Sequence, residues 1–171
     1  WTLNALALAY KNSGQPRRAV PLFQSAAINY EEADDKPNFA AEHINLADAC
    51  RLSGNLRNSD ASTRCALIIS REIRTMIEVS LLFAGLVKMA QAGGPHDRFF
   101  AEARTIIWQA VHLAIKTKHS QLEGATNAAL SEWALAGGDA SAARTYADRA
   151  WELANTRRNE RDFISAAVRQ G

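Results

Sequence analysis

A regular spacing constrains this chain more than any other feature. Four glycine-marked breaks recur, at Asn12-Ser13-Gly14, Leu52-Ser53-Gly54, Ala92-Gly93-Gly94 and Ala136-Gly137-Gly138. Leu6, Leu46, Leu86 and Leu130 each stand eight residues before the final glycine of a break. Ala26, Ala66, Ala110 and Ala150 follow deep in the next segment. Members of this alternating Leu–Ala series are 20 residues apart, except for one step of 24 from Leu86 to Ala110. A period of 40 in halves of 20 suits two antiparallel helices with short turns. A lone pair cannot cover its apolar stripe, so several pairs must stack. The spacing therefore predicts an all-α chain in one domain over residues 1–171, with four helix-pair repeats and a partial fifth. The expected repeats are 1–36, 37–75, 76–119, 120–158 and the partial 159–171.

Local chemistry agrees. Alanine and leucine recur at helical spacing, and the strict alternation of a half-buried strand is absent. Pro16, Pro37 and Pro95 each follow a turn, and Pro21 is expected in the first turn or two of the next helix. The expected helices are 2–13, 16–32, 38–53, 57–74, 76–92, 97–118, 121–136, 139–155 and 160–170. The four-residue slip falls near Gly94–Phe100, where Phe99 and Phe100 cannot share one helix face. Its simplest reading is a second helix lengthened by one turn at its start. Phe99 or Phe100 pointing toward a neighbour is the other reading.

Composition excludes several function classes. With 20 basic and 18 acidic residues the net charge is +2, too small to indicate a nucleic-acid partner. The basic clusters Arg17-Arg18, Arg71/Arg74 and Arg157-Arg158-Arg161 are interleaved with acids and are not ordered with aromatics on one face. Two cysteines, Cys50 and Cys65, do not make a disulfide scaffold, so idle thiols in the cytoplasm are expected. The longest apolar run, Val79–Val87, ends at Lys88, well short of a membrane span. The amphipathic pattern is already running at Trp1, and the last residues read as the opening of another helix. Both ends are therefore read as cuts through a longer protein.

The residues around each break resemble the tetratricopeptide repeat. Leu3, Leu6, Ala7, Tyr10, Gly14, Ala19, Phe23 and Ala26 match its signature position by position. The later repeats match more loosely: His43, Leu46, Ala47, Cys50, Gly54, Ser59, Thr63 and Ala66, then Phe83, Leu86, Val87, Ala90, Gly94, Ala103, Ile107 and Ala110. The fourth gives Asn127, Leu130, Ser131, Ala134, Gly138, Ala143, Ala147 and Ala150. The period departs from the family's usual ~34 residues, adding about one and a half turns. Longer repeats of this kind are similar to those of bacterial signalling ATPases, large transcriptional regulators, kinesin light chains and peptide-sensing regulators. The resemblance implies a right-handed α-α superhelix, a TPR-like solenoid whose first helices line a concave surface.

Chemistry-bearing constellations are missing. His43, His96, His112 and His119 lack metal-ligand spacing, and no cofactor is expected. Gly93-Gly94-Pro95 and Gly137-Gly138-Asp139 lack the Lys-Ser/Thr of a phosphate loop. They read as helix stops, with Asp139 capping the next helix. Glu31-Glu32 with Asp34-Asp35 reads as a solvated turn. The chain is thus expected to bind rather than to catalyse.

The resemblance carries contact positions over residue by residue. They are Asn4, Leu8, Lys11 and Asn12 in repeat one, and Ile44, Asn45, Asp48 and Arg51 in repeat two. Lys88 and Gln91 follow in repeat three and Glu132 in repeat four. Asn4 and Asn45 are favoured, since an amide can both donate to and accept from a peptide backbone. The same residues also fit a merely solvated helix face. The Lys-Asn clamp that chaperone-type repeats use for a C-terminal carboxylate is not reproduced. The expected function is a protein- or peptide-binding scaffold module of a larger protein. The alternative is a ligand- or peptide-sensing domain of a signalling ATPase or transcriptional regulator. Self-association through apolar ends such as Leu3, Leu6, Phe163 and Val168 is a further expectation.

Overall fold

A computed structural model describes residues 2–157, and among them eight α-helices and no strand. The helices are α1 (Thr2–Asn12), α2 (Pro16–Glu32), α3 (Lys36–Leu52), α4 (Leu56–Glu72), α5 (Ile77–Gln91), α6 (Arg98–Lys116), α7 (Ser120–Ala136) and α8 (Ala140–Arg157). The expected helix at 160–170 lies outside the described residues. Each helix packs on the next, and among the first helices of the pairs α3 also meets α5 and α5 meets α7. No helix among the described residues is long and apolar enough to cross a membrane.

Two kinds of turn alternate. Within pairs one and two the chain reverses through left-handed glycines, Gly14 at φ +77° and Gly54 at φ +81°. At Gly54 two backbone bonds fix the reversal. Gly54 N–H donates to the Arg51 carbonyl (3.1 Å) and Asn55 N–H to the Cys50 carbonyl (2.8 Å). Between pairs the same reversal uses residues that carry a Cβ. Asp34 (φ 51°) and Lys118 (φ 55°) take the left-handed role. Asp35 N–H and His119 N–H then close onto the carbonyls of Tyr30 and Ala114. Side chains cap the following helices. Asp35 accepts from Asn38 N–H, Asn55 from Asn58, Asp97 from Phe99 and Asp139 from Ala142.

Within each pair the two helices cross at matched small residues. Ala7 and Ala19 are both fully buried, as are Ala47 and Ser59, and Ser131 and Ala143 are buried at the same 12-residue separation. A hydroxyl replaces a methyl at this crossing twice, and both times it finds a partner, as buried polar groups must. Ser59 Oγ donates to the Ala47 carbonyl (2.7 Å). Ser131 Oγ donates to the Ala143 carbonyl (2.8 Å). In pair three the crossing is Val87 with Ala103, both buried. There Gly85 lies so close to Ile107 that an added Cβ would collide with that side chain. Ala26, Ala66, Ala110 and Ala150 are buried at the second-helix positions the period marks.

Leu46 and Leu130 are buried, and Leu6, expected among the apolar residues of an exposed end, is 45% exposed. Leu46 packs in a cluster with Ala7, Ala19 and Phe23 of the preceding pair, and α1 has no preceding pair among the described residues. The four-residue slip is shared between a longer connection and a longer helix. Residues 92–97 separate α5 from α6, whereas three residues separate the helices of pairs one, two and four. Helix α6 has 19 residues against 17 in α2 and α4. Phe100 is buried against Trp133, with ring centroids 4.9 Å apart, and Trp133 Nε1 donates to the Phe100 carbonyl (2.9 Å). Phe99 lies half-buried between Lys88 and Arg98. Pro21 is the sixth residue of α2, and its side chain faces solvent. This lies past the first turn, so the ring removes the hydrogen bond an N–H would make to the Arg17 carbonyl.

Candidate functional site

Most of the expected contact residues fall on one stripe of each first helix. On α1, Asn4, Leu8 and Lys11 are spaced by four and three and form one stripe. On α3, Glu42, Asn45 and Asp48 are spaced by three and form the facing stripe. The structure brings the two stripes together as a polar seam. Asn4 donates its amide N–H to Glu42, and Lys11 Nζ pairs with Asp48 Oδ2 at 3.0 Å. Arg51 adds a second cation to Asp48 at 2.7 Å. It stands one helical turn along, where such pairs meet. The Lys11 and Asp48 side chains are 13% and 12% exposed, so this pair is largely shielded from water.

The seam changes what these residues can offer a partner. Asn4 and Asp48 are engaged within the protein, so their side chains are not free for recognition. Ile44, expected on the open surface, is buried at 6% exposure. It lies one residue before Asn45, about 100° around the helix, and that rotation turns it into the stack. Leu8 is half-buried against the Phe23 cluster. Asn45 is half-buried and makes no hydrogen bond among the described residues, which leaves its amide available. Asn12 is exposed.

Further along, the same side continues. Lys88 Nζ reaches Asp60 Oδ1 of α4 (3.1 Å) and donates to Gln91 Oε1 (3.2 Å), with Phe99 beneath it at 4.9 Å. Glu132 is half-buried, and Leu135 is 64% exposed. Leu8, Lys11, Asp48, Arg51, Lys88, Gln91, Glu132 and Leu135 occupy corresponding positions of α1, α3, α5 and α7. The row carries the cations Lys11, Arg51 and Lys88, the anions Asp48 and Glu132, the neutral Gln91 and the apolar Leu8 and Leu135. Within the row Lys11 and Arg51 pair with Asp48, and Lys88 donates to Gln91.

Sequence reasoning missed Glu42. Its side chain is 1% exposed, and burial pushes its carboxyl up to about 7, with the Asn4 hydrogen bond pulling the other way. The signal was present in the period: residue 42 corresponds to Leu82 and Thr126, both buried, so an acid there had to be enclosed. His43 was expected at the edge of the core. It is half-buried, stands edge-on to Phe39 at 4.6 Å, and has its pKa lowered by burial. Cys50 is buried and Cys65 half-buried; both are free thiols, and burial raises both pKa values. Among the described residues no group of three His, Cys, Asp or Glu side chains is placed to hold a metal ion.

No family model matches the chain, and no curated protein does.

Proposed function

We propose that this chain is a protein- or peptide-binding module of the tetratricopeptide type, part of a larger protein. In this reading its helix pairs follow a right-handed superhelix, and the first helices present the recognition surface. The observation that carries it is the matched burial of crossing positions, pair after pair, with polar and charged residues at corresponding positions of α1, α3, α5 and α7. Stacked helix pairs present long surfaces of repeated chemistry and enclose little volume, which suits recognition of an extended segment better than catalysis.

The test is a selection of random peptides on the immobilised protein, with the selected peptides mapped by amide shift perturbation. Perturbations should concentrate on α1, α3, α5 and α7. Asn45→Ala and Gln91→Ala together should weaken binding at least about tenfold, the loss of one or two hydrogen bonds. Arg71→Ala, on α4, should leave it unchanged. Perturbations confined to α2, α4, α6 and α8 would overturn the proposal, as would a selection that enriches no peptide.

A further inference from the structure

Glu42 sits in the packed face between α1 and α3, at the position filled by Leu82 and Thr126 in later pairs. Every equivalent group described there is neutral. Its one hydrogen bond comes from the Asn4 amide N–H to Oε1. Glu42 Oε2 and Asn4 Oδ1 are both buried and both lack a partner. An ionised carboxylate and an amide oxygen are acceptors only, so neither can satisfy the other. One proton changes this. A protonated Oε2 donates to Asn4 Oδ1 while Asn4 N–H donates to Oε1, which closes a cyclic acid–amide pair with no orphaned atom.

The surrounding charges give an ionised Glu42 little support. On α1, Lys11 is held by Asp48, as is Arg51 of α3. The adjacent His43 has its pKa lowered by burial, and α2 contributes Glu31, which acts on His43. On α4, Asp60 pairs with Arg64 and Lys88, and Glu72 pairs with Lys36. On α5 the charged groups are Glu78 and that same Lys88.

We propose that Glu42 is a proton latch: as a neutral acid it fastens α1 to α3, and its ionisation loosens that contact. The direction with pH follows from linkage. The folded protein holds this proton up to about pH 7, whereas the open form releases it near 4.5. The stabilisation is complete below 4.5 and is lost as pH rises through about 7. His43 works in the opposite sense, since a neutral buried imidazole favours folding at higher pH. A comparison with Glu42→Gln cancels that contribution, and glutamine can make the same cyclic pair with Asn4 at every pH.

The experiment is amide hydrogen exchange between about pH 5.5 and 8.5, taking the ratio of wild type to Glu42→Gln at each amide. On α1 the wild type should lose protection relative to the variant by at least about tenfold across that range. On α7 and α8 the ratio should stay constant. A constant ratio on α1 as well would overturn the proposal. Should the variant fail to fold, a carbon-13 titration of the Glu42 carboxyl in the wild type decides. A midpoint near 7 supports the latch, and a midpoint near the ordinary 4.5 overturns it.

Discussion

The first and last pairs use the same crossing geometry and close their first-helix seams with different chemistry. Between α1 and α3 the ties are polar: Asn4 with Glu42, and Lys11 with Asp48, which Arg51 also pairs from within α3. The apolar cluster there is small, formed around Phe23 by Ala7, Ala19, Leu46, Ala49 and Cys50. Around α5, α6 and α7 the seam is hydrophobic, with Leu81, Leu82, Ile107, Val111, Leu122 and Leu130 in one buried cluster. A hydrophobic seam scales with area and is nearly indifferent to pH. A polar seam depends on which atoms are paired and on their protonation. The repeat therefore fixes where helices meet and leaves the chemistry of each meeting free. In this molecule the buried acid–amide contact lies at α1, whereas ion pairs occur along the whole stack, Lys88 with Asp60 and Arg149 with Glu123 among them.

The contrast can be broken most directly at one repeat position. Leu130→Ala should cost about 2–5 kcal/mol, the range for emptying a closed core site. Leu6→Ala, at the same position of pair one, should cost under about 1 kcal/mol. Its side chain is already half in water. Urea unfolding midpoints measure both, and equal losses would remove the distinction between the two ends. Asp48→Ala comes next in size. It leaves Lys11 and Arg51 without their shared anion. The cost should be about 1–3 kcal/mol, that of orphaning a shielded polar partner. The loss should appear as faster hydrogen exchange on α1 with α7 and α8 unchanged. Smallest are the turns, which sharpen the comparison of connections within and between pairs. Gly54 is left-handed, and alanine resists that conformation. Gly54→Ala should therefore lower stability by about 1–2 kcal/mol. Lys118 holds the same conformation with a side chain. Lys118→Gly should raise stability by up to about 1 kcal/mol, part of the gain being offset by glycine's entropy in the unfolded chain. Thermal unfolding would read both signs.

Much of this was legible in the sequence, for a physical reason. Helix position depends on local periodicity, caps and breaks, and those reside within a few residues of one another. The eight described helices fall within about two residues of the expected spans, the usual precision of helix ends. Asp139 caps α8, as its place after Gly137-Gly138 suggests. The matched small residues at Ala26, Ala66, Ala110 and Ala150 were legible for the same reason. Contact surfaces were harder to read. Ile44 and Asn45 differ by one residue, and only the direction of the neighbouring helix decides which is enclosed. Asp48 looked like a recognition residue because its charge is visible in sequence. Its partner Lys11 is 37 residues away, and nothing local announces that pairing.

What the sequence determined by itself is the helical class, the pairing of helices and the period, because each follows from patterns no longer than a turn or a repeat. What the tertiary structure decided is which of the polar residues on the first helices remain open. Asn4, Glu42 and Asp48 are drawn into the α1–α3 seam, whereas Asn45 and Asn12 keep some or most of their exposure. Exposure depends on the relative placement of two helices whose residues lie far apart in the chain, and that placement is set by packing across the whole pair.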